Sequence, residues 1–536
     1  MARLTYRPEI DGLRALAVLA VLFFHSHLRL PGGYVGVDIF FVISGYLITA
    51  LIAADLATGT FSFRDFWERR IRRILPAASV TVVACLLLGF VLLLPTDFEE
   101  LGRSAVAQAL LAANVFFYQE TGYFAGPAEA KPLLHFWSLA VEEQFYLLFP
   151  FYLVALHRWR PRAMFAGVAS VAAASLALSL VGVFRFPDAT FFLLPTRAWE
   201  LALGALLALK GGRLPVPDSL RAPLGWMGMA LMIAPMFLYD SETRFPGAAA
   251  LPPCVGAVLV IWSTAAGSFA LKALLSWRPV VFVGLISYSL YLWHWPVKVF
   301  SHYWFTGLLS PLPLRVGVVF VSFALAWLSW RCVELPFRSK RTLALPRLAG
   351  LAAAASVSIL LAGAVVAWQE GVPERFPSRV VQYASAYDDR PEAQEADLSV
   401  AAADKGELRL LADAPASAPS ILLWGDSHAR VVSPAVEAMC RDLRVRGFRA
   451  SRSETASLLN WSEDAELRRY NDAILRWVEQ HRPTVVVLAS RWERVLRTRV
   501  DEESLNDTVQ ALQAAGVTVA IMRQVAAQRR DIPKSL

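Results

Sequence analysis

The segment RALAVLAVLFFHSH, residues 14–27, is apolar along most of its length, yet it begins with an arginine and ends with two histidines. The whole chain explains the apolar part, because 56% of its 536 residues are hydrophobic and its mean hydropathy is +0.46. A water-soluble chain of this size does not need so much apolar sequence for its core. The composition therefore indicates a membrane protein that carries ionisable groups inside its first helix.

Apolar windows of about 20 residues, the length that crosses a bilayer, recur from Leu13 to Trp368. They predict a multi-span α-helical membrane protein with about eleven transmembrane helices. The predicted spans are 13–28, 34–54, 75–95, 139–156, 163–184, 191–209, 223–239, 248–266, 280–300, 313–333 and 347–368. Residues 104–118 are a shorter apolar segment with Gln108 and Asn114, which forms either a twelfth span or a re-entrant or interfacial helix.

Loop charges predict the orientation. If residues 104–118 do not cross the membrane, one side receives most of the lysines and arginines. The other side receives only Arg29, Arg103, Lys131, Arg185 and Arg244. The positive-inside rule then favours eleven spans, a cytoplasmic N-terminus and an exported C-terminal region. We therefore expect a multi-pass protein of the bacterial inner (cytoplasmic) membrane with a periplasmic or extracytoplasmic C-terminal domain. Cytoplasmic loops that face anionic lipid explain the net charge of +8, so nucleic-acid binding is not needed.

Arg14 and His25 are eleven residues apart in the first span. At about 3.6 residues per turn this is nearly three whole turns, so both side chains lie on one helix face, about 16 Å apart along the axis. Ionisable residues within a span are costly and usually face protein or water along a functional path. The alternative is that Arg14 extends to the cytoplasmic interface and His25 lies among the opposite headgroups.

Two later segments add ionisable residues. PGGYVGVDIFFVISGYLI (31–48) places Asp38 in the second span, where a buried carboxylate needs a partner. PLLHFWSLAVEEQFYLLFP (132–150) begins the fourth span with His135, Glu142 and Glu143 among aromatic residues.

A third segment, FWERRIRRILPA (66–77), concentrates arginines at a cytoplasmic span entrance. They are Arg69, Arg70, Arg72 and Arg73. Residues at i and i+3 share a helix face, and guanidinium groups suit phosphate oxygens. The alternative is an ordinary positive-inside anchor.

Several of these segments together resemble the acyltransferase-3 family of bacterial integral-membrane acyltransferases, over roughly residues 5–340. The matching pieces, in the order of that family, are the Arg-x10-His element at Arg14 and His25, GGYVGVDIFFVISGYLI, RRIRRILPA, SLAVEEQFY and YSLYLWHWP. This divides the membrane region into an acyltransferase-3 domain (1–345) and an additional transmembrane helix (346–368).

The resemblance implies transfer of an acyl group, commonly acetyl, from cytoplasmic acyl-CoA to a carbohydrate hydroxyl outside, such as one on lipopolysaccharide O-antigen. Acyl-CoA is then a donor substrate, and we expect no permanently bound cofactor and no metal. The candidate catalytic residues are His25 as general base, Arg14 as a stabiliser of negative charge, Glu142 as a group that orients His25 or the acceptor, and Asp38. The candidate donor-binding residues are Arg69, Arg70, Arg72 and Arg73.

The C-terminal region differs in composition. Residues 369–420 are rich in Ala, Pro, Asp and Glu and predict a periplasmic linker. ILLWGDSHA (421–429), PTVVVLAS (483–490) and VTVAIM (517–522) are strand-like and alternate with amphipathic helical patterns, so residues 421–536 predict an α/β domain with a parallel sheet.

Ser427 lies at a predicted strand-to-helix turn, the geometry of an exposed nucleophile. The GDSHA segment, fused to this membrane region, resembles the SGNH hydrolase-like domains of sugar O-acyltransferases. That family activates its serine with an Asp-x-x-His element near the C-terminus, and this chain has none, so Ser427 is only a secondary candidate. The ending QVAAQRRDIPKSL (524–536) follows a strand where such a domain would continue, which predicts truncation, or alternatively a complete but degenerate domain.

Two other functions remain open. A proton-coupled transporter would use Asp38, His25 and Glu142 as a relay. A membrane-anchored exported esterase would use Ser427, and the missing base argues against it.

Overall fold

The computed structural model describes residues 6–120, 130–211, 216–266, 269–305, 312–338, 344–378, 380–381, 397–453, 455–462, 464–495 and 499–523. The chain divides near residue 384 into two compact units. The first is helical, and the second contains a β-sheet. Residues 524–536, on which the prediction of truncation rests, lie outside the described residues.

The first unit is built from helices of very different lengths. They are α1 (Pro8–His25), α2 (Gly36–Ala57), α3 (Phe63–Leu92), α4 (Pro95–Ala109), α5 (Ala113–Gln119), α6 (Phe136–Trp159), α7 (Met164–Arg185), α8 (Pro187–Phe192), α9 (Leu194–Leu209), α10 (Arg221–Leu238), α11 (Leu251–Ser263), α12 (Ala270–Leu275), α13 (Arg278–Leu285), α14 (Ser287–Trp304), α15 (Leu312–Ser329), α16 (Leu335–Arg338) and α17 (Leu345–Trp368). A π-helical turn, Trp330–Glu334, joins α15 to α16.

Within the described residues, eight helices are long and apolar enough to cross a membrane, or nine if the bent pair α13 and α14 counts as one span. Two of the eleven predicted spans fall outside this set. One is α1, whose 18 residues include Glu9, Asp11 and Arg14. The other is the short apolar helix Gly247–Ser263. A multi-span helical membrane protein is confirmed, and the count of eleven stays a prediction.

Helices α4 and α5 form a hairpin rather than a span. They have 15 and 7 residues, and Lys131 pairs with Glu100 in α4 and lies 3.8 Å from Glu120 after α5, so both arms return to one side. At the tip, Gln144 of α6 donates a 2.9 Å hydrogen bond to the carbonyl of Leu111. Non-helical backbone at membrane depth needs such a partner. This arrangement fits the re-entrant alternative for residues 104–118.

The predicted span 280–300 is broken. Helices α13 and α14 meet at an angle of 65°. Farther along α14, Pro296 has no N–H to offer the carbonyl of Leu292. The Nε2 of His135 lies 3.1 Å from that carbonyl and supplies the missing donor. The bend and the proline thus bring α14 and the start of α6 together at a polar contact.

Close packing holds α2 against α9. A Cβ on Gly45 would lie 1.8 Å from the carbonyl oxygen of Leu201, and one on Gly204 would lie 2.0 Å from that of Val42. Only glycine therefore fits at these two positions. The contact fixes two helices that carry buried charged residues.

The second unit is a five-stranded sheet flanked by helices. Its strands are β1 (Arg409–Ala412), β2 (Ser420–Gly425), β3 (Arg446–Ser451), β4 (Val485–Ala489) and β5 (Thr518–Ile521). Its helices are α18 (Val400–Asp404), α19 (Ser427–Leu443), α20 (Ala465–His481), α21 (Trp492–Val495) and α22 (Arg499–Ala514). The strand order is β1-β3-β2-β4-β5, and every pair is parallel except the edge pair β1–β3.

The parallel α/β sheet predicted for the C-terminal region is confirmed. The boundary at residue 421 was too late, because α18 and β1 lie inside the expected linker 369–420. The antiparallel pairing of β1 with β3 adds this segment to the sheet. A four-residue strand with an arginine at its first position carries too little alternation to be recognised as a strand from sequence.

Candidate functional site

The polar face of α1 points into the helical unit. Arg14 is only 8% exposed, and its guanidinium lies 3.0 Å from the carboxylate of Asp11 on the preceding turn. His25, at the other end of the helix, packs against the rings of His294 and Trp295. The prediction that both side chains face protein rather than lipid is confirmed.

Arg14 lines a cavity of about 80 Å³, which we call the central cavity. Arg70 and Arg73 of α3 and Glu142 of α6 line it as well. The hydroxyl of Ser44 donates a short hydrogen bond to Glu142. The cavity therefore combines three guanidinium groups with the partly buried carboxylates of Glu142 and Glu143, a setting that can hold an anionic group or a developing negative charge.

A second group of arginines surrounds a neighbouring cavity of about 250 Å³. Its lining residues, which we call the arginine pocket, are Arg69, Arg72, Arg73 and Arg338. Three of them have acidic partners: Arg72 lies 2.8 Å from Glu68, Arg69 lies 3.3 Å from Asp55, and Arg338 pairs with Glu334. Arg73 lines both the arginine pocket and the central cavity, so the two are adjacent.

The four predicted donor-binding arginines thus divide between two places. Arg69 and Arg72 line the arginine pocket, Arg70 lines the central cavity, and Arg73 lines both. Arg338 was not predicted. It lies in the VELPFR segment, four residues after its partner Glu334. A charge pair at i and i+4 near the end of a span was the only sequence feature that could have pointed to Arg338.

An apolar cavity of about 360 Å³ adjoins the central cavity, and both share Arg70, Glu143 and Tyr146. Ser356 and Ile359 of α17 complete its wall. The additional helix predicted at 346–368 therefore contributes to the space beside the central cavity.

At the other end of α1, three imidazoles form a histidine cluster of His25, His135 and His294. The Nδ1 of His25 lies 3.0 Å from the Nε2 of His294, and the rings of His135 and His294 are 5.8 Å apart. Trp295 packs its ring edge-on to His25 at 4.6 Å, and the Nζ of Lys298 lies 4.7 Å from the Trp295 ring. A neutral imidazole in such a cluster can accept a proton from a hydroxyl.

The partner of His25 was not foreseen. The sequence suggested Glu142 as a group that orients either His25 or the acceptor. Glu142 accepts a hydrogen bond from Ser44 and lines the central cavity, and its role towards the acceptor stays a prediction. His294 holds His25 instead. It lies in the YSLYLWHWP segment, which carries part of the family resemblance. The motif could be recognised in the sequence, but its contact with His25, 269 residues away in the chain, could not.

Tyr291 connects the central cavity to the histidine cluster. Its side chain lines the cavity, and its hydroxyl lies 2.6 Å from the Ser138 hydroxyl and 3.0 Å from the His135 carbonyl. Its own carbonyl lies 2.6 Å from the Nδ1 of His294. Polar contacts therefore run from the cavity that holds Arg14 to His25.

Asp38 lies apart from these groups, in a buried ion cluster with Arg197 and Glu200 of α9. The guanidinium of Arg197 lies 2.9 Å from each carboxylate, and all three residues are 0% exposed. Four aromatic rings surround Arg197 at 5.4–5.8 Å, those of Phe41, Trp137, Phe191 and Phe245.

The partner that Asp38 needs is thus Arg197. The segment PTRAWELALGALLA shows an arginine and a glutamate inside a span, but it does not indicate which other span these side chains face. A possible set of metal ligands lies in the same place, because a carboxylate oxygen of Asp38, one of Glu200 and the sulfur of Cys254 lie within 4.8 Å of one another. The guanidinium already supplies a positive charge to the two carboxylates. Within the described residues, Asp38, His25 and Glu142 each contact a different partner, and these contacts do not join the three side chains into the relay that a transporter needs.

In the second unit, Ser427 is the first residue of α19, and only Asp426 separates it from the end of β2. Asp426 caps this helix, since its Oδ1 accepts the N–H of His428 at 2.7 Å and its Oδ2 accepts the N–H of Arg491 at 2.8 Å. Both carboxylate oxygens hold backbone groups. Asp426 therefore braces the turn.

In the described part of the sheet unit, no histidine is positioned as a clear general base for Ser427. His481 ends α20 just before β4, at the edge where the parallel strands begin, whereas Ser427 follows the end of β2. Its ring stacks on Trp477 at 4.3 Å. Cys440 is buried, and burial raises the pKa of its thiol, which makes it a poor nucleophile.

Comparisons with known proteins agree with these features. The sequence matches an acyltransferase domain family over residues 7–331 and an SGNH domain, described as fused to AT3 domains, over residues 388–535. It is 33% identical over 349 residues to O-acetyltransferase OatA of Staphylococcus aureus (strain NCTC 8325 / PS 47), covering 62% of this chain and 58% of the relative. It is 33% identical over 355 residues to the putative peptidoglycan O-acetyltransferase YrhL of Bacillus subtilis (strain 168), covering 62% of this chain and 55% of the relative. The match thus spans little more than half the length of these relatives.

Proposed function

The chain belongs to the acyltransferase-3 family of membrane acyltransferases and carries a fused SGNH domain, and on that premise we propose that it transfers an acetyl group from cytoplasmic acetyl-CoA to hydroxyl groups of a surface polysaccharide. One observation carries the proposal. A series of polar contacts connects the cavity that holds Arg14 with the imidazole of His25 at the opposite end of α1.

The donor end is the arginine pocket. Coenzyme A carries several phosphate groups, and guanidinium groups bind phosphate oxygens through charge-assisted hydrogen bonds. Arg73 lines both the pocket and the central cavity, so a donor whose phosphates lie in the pocket can extend its pantetheine arm past Arg14 and bring its thioester towards His25. We place the pocket on the cytoplasmic side, where the loop charges predict it.

The acceptor end is the histidine cluster. The acceptor hydroxyl gives its proton to His25 and forms a bond to the acetyl carbonyl carbon, while the bond from that carbon to sulfur breaks. The thiolate takes up one proton, so the net products are an acetyl ester and free coenzyme A. Arg14 lies along the path of the donor, where its positive charge suits the negative charge that the donor carries, and Glu142 lies across the same cavity.

The acceptor is proposed as a carbohydrate polymer. The name of one relative specifies peptidoglycan, and lipopolysaccharide O-antigen stays a prediction from the family resemblance.

His25→Ala tests the proposal in cells that carry the full chain. General acid–base catalysis contributes about 10²- to 10⁴-fold, so acetyl on surface glycans, measured by mass spectrometry, should fall to background. The matched control is His157→Ala, at the exposed C-terminal end of α6, which should keep wild-type acetylation. The modified sugar identifies the acceptor. Unchanged acetylation in His25→Ala together with altered solute uptake would instead favour a transporter.

A further inference from the structure

We propose that His294 is a positioning residue that holds His25 in the tautomer protonated on Nδ1, so that the Nε2 of His25 presents a free lone pair to the acceptor. This inference rests on the proposed function, in which His25 is the base. It adds a residue to that site and assigns the atom that receives the proton.

The assignment begins at Tyr291. Its carbonyl oxygen can only accept a hydrogen bond, and it lies 2.6 Å from the Nδ1 of His294, so this Nδ1 carries the hydrogen. A neutral imidazole has one N–H, so the Nε2 of His294 is then an acceptor. The Nδ1 of His25 lies 3.0 Å from it and must donate. For two neutral rings this leaves the Nε2 of His25 without a hydrogen.

The surroundings prevent either ring from turning easily. His294 is 1% exposed, and its ring stacks on that of His25 with an angle of 20° between the planes. The ring of Trp295 also packs against that of His25, with 4.6 Å between the ring centres. The indole N–H of Trp295 donates a 2.8 Å hydrogen bond to the carbonyl of Lys131, which fixes this ring in turn.

The same contacts provide a place for the abstracted proton. When the Nε2 of His25 takes a proton from the acceptor hydroxyl, the ring carries a hydrogen on both nitrogens. The Nδ1 hydrogen can then pass to the Nε2 of His294, which leaves a neutral His25 and a protonated His294. No atom or electron is gained or lost in this exchange, and the positive charge moves away from the new ester.

His135 is held differently. Its Nε2 donates to the carbonyl of Leu292, a carbonyl left without its helical donor by Pro296. The described contacts do not join its ring nitrogens to those of His25. The assignment therefore singles out His294 from two neighbouring imidazoles.

The direct test is the ¹⁵N NMR spectrum of histidine-labelled full-length chain in bilayers, where protonated and unprotonated ring nitrogens give separate signals. The resonance lost in His25→Ala identifies His25. In the wild type we expect its Nδ1 protonated and its Nε2 unprotonated. In His294→Leu we expect this state to give way to a mixture of tautomers.

Kinetics supply a second readout. His294→Leu should lower kcat about 10- to 100-fold, the usual effect of removing a group that orients a functional imidazole, with the KM for acetyl-CoA unchanged. His294→Gln retains a side-chain oxygen that can accept from the Nδ1 of His25 but cannot take up the proton, so it should restore the tautomer of His25 and part of the rate. His157→Gln, the same substitution at an exposed position, should match the wild type.

Three outcomes would overturn the inference. The first is a His25 that is protonated on Nε2 in the wild type. The second is an equal loss of kcat in His294→Leu and His294→Gln while the His25 signal stays unchanged. The third is a wild-type kcat in His294→Leu. Retained activity in His25→Ala would instead defeat the proposed function itself, so the two failures are distinguishable.

Discussion

The helical unit and the sheet unit treat their polar residues in different ways. In the helical unit, buried charged and imidazole groups contact one another and line adjoining cavities, from the arginine pocket through the central cavity to the histidine cluster. In the sheet unit, the most suggestive group is Ser427, and its neighbour Asp426 is occupied with backbone N–H groups.

This difference indicates where the chemistry lies. Burying ionisable groups is costly unless they are paired, so a chain that buries many of them in one unit retains them for a purpose. A serine at a strand-to-helix turn costs little and is common in loops. We therefore assign acyl transfer to the helical unit. The following experiments compare the two units directly.

The largest effect is expected for Arg197→Met. This change removes the cation between Asp38 and Glu200 and leaves two carboxylates buried without it. Breaking a buried ion pair costs about 3–5 kcal/mol, so thermal unfolding in detergent should occur at a markedly lower temperature. The control is Arg185→Met, at an exposed position at the end of α7. Equal unfolding temperatures for the two variants would show that the ion cluster is not a structural support.

A smaller effect is expected for Arg73→Gln, because Arg73 lines both the arginine pocket and the central cavity. A hydrogen bond to a charged group is worth about 1.5–3 kcal/mol, so the KM for acetyl-CoA should rise about 10- to 100-fold. Arg64→Gln, on the exposed face of the same helix, should leave the KM near the wild-type value. If both variants raise the KM equally, the arginines act as a general anchor at the membrane surface.

The smallest effect is expected for Ser427→Ala. Acetyl-CoA turnover by the full chain should stay within about twofold of the wild-type rate, the range of substitutions that remove no buried partner. Loss of turnover in Ser427→Ala with normal turnover in His25→Ala would move the active site to the sheet unit.

The sequence predicted the helical membrane unit, the parallel sheet and the inward orientation of Arg14 and His25, because these follow from local periodicity. Contacts between distant segments were not predictable. His294 meets His25 because α14 bends away from α13, and Arg197 meets Asp38 because two glycines let α9 approach α2. Periodicity shows which face of a helix is polar, but it does not identify the helix across from it. For this reason Glu142 was suggested as a group that orients either His25 or the acceptor, and the strand β1 was assigned to a linker.

The central claim is that donor and acceptor meet the protein at opposite ends of α1. It can be tested with full-length chain reconstituted in one orientation in sealed vesicles, with radiolabelled acetyl-CoA on one side and a glycan acceptor on the other. We predict labelled glycan only when acetyl-CoA is on the side of the arginine pocket and the glycan is on the side of the histidine cluster. Labelling that requires both substrates on the same side would contradict the mechanism.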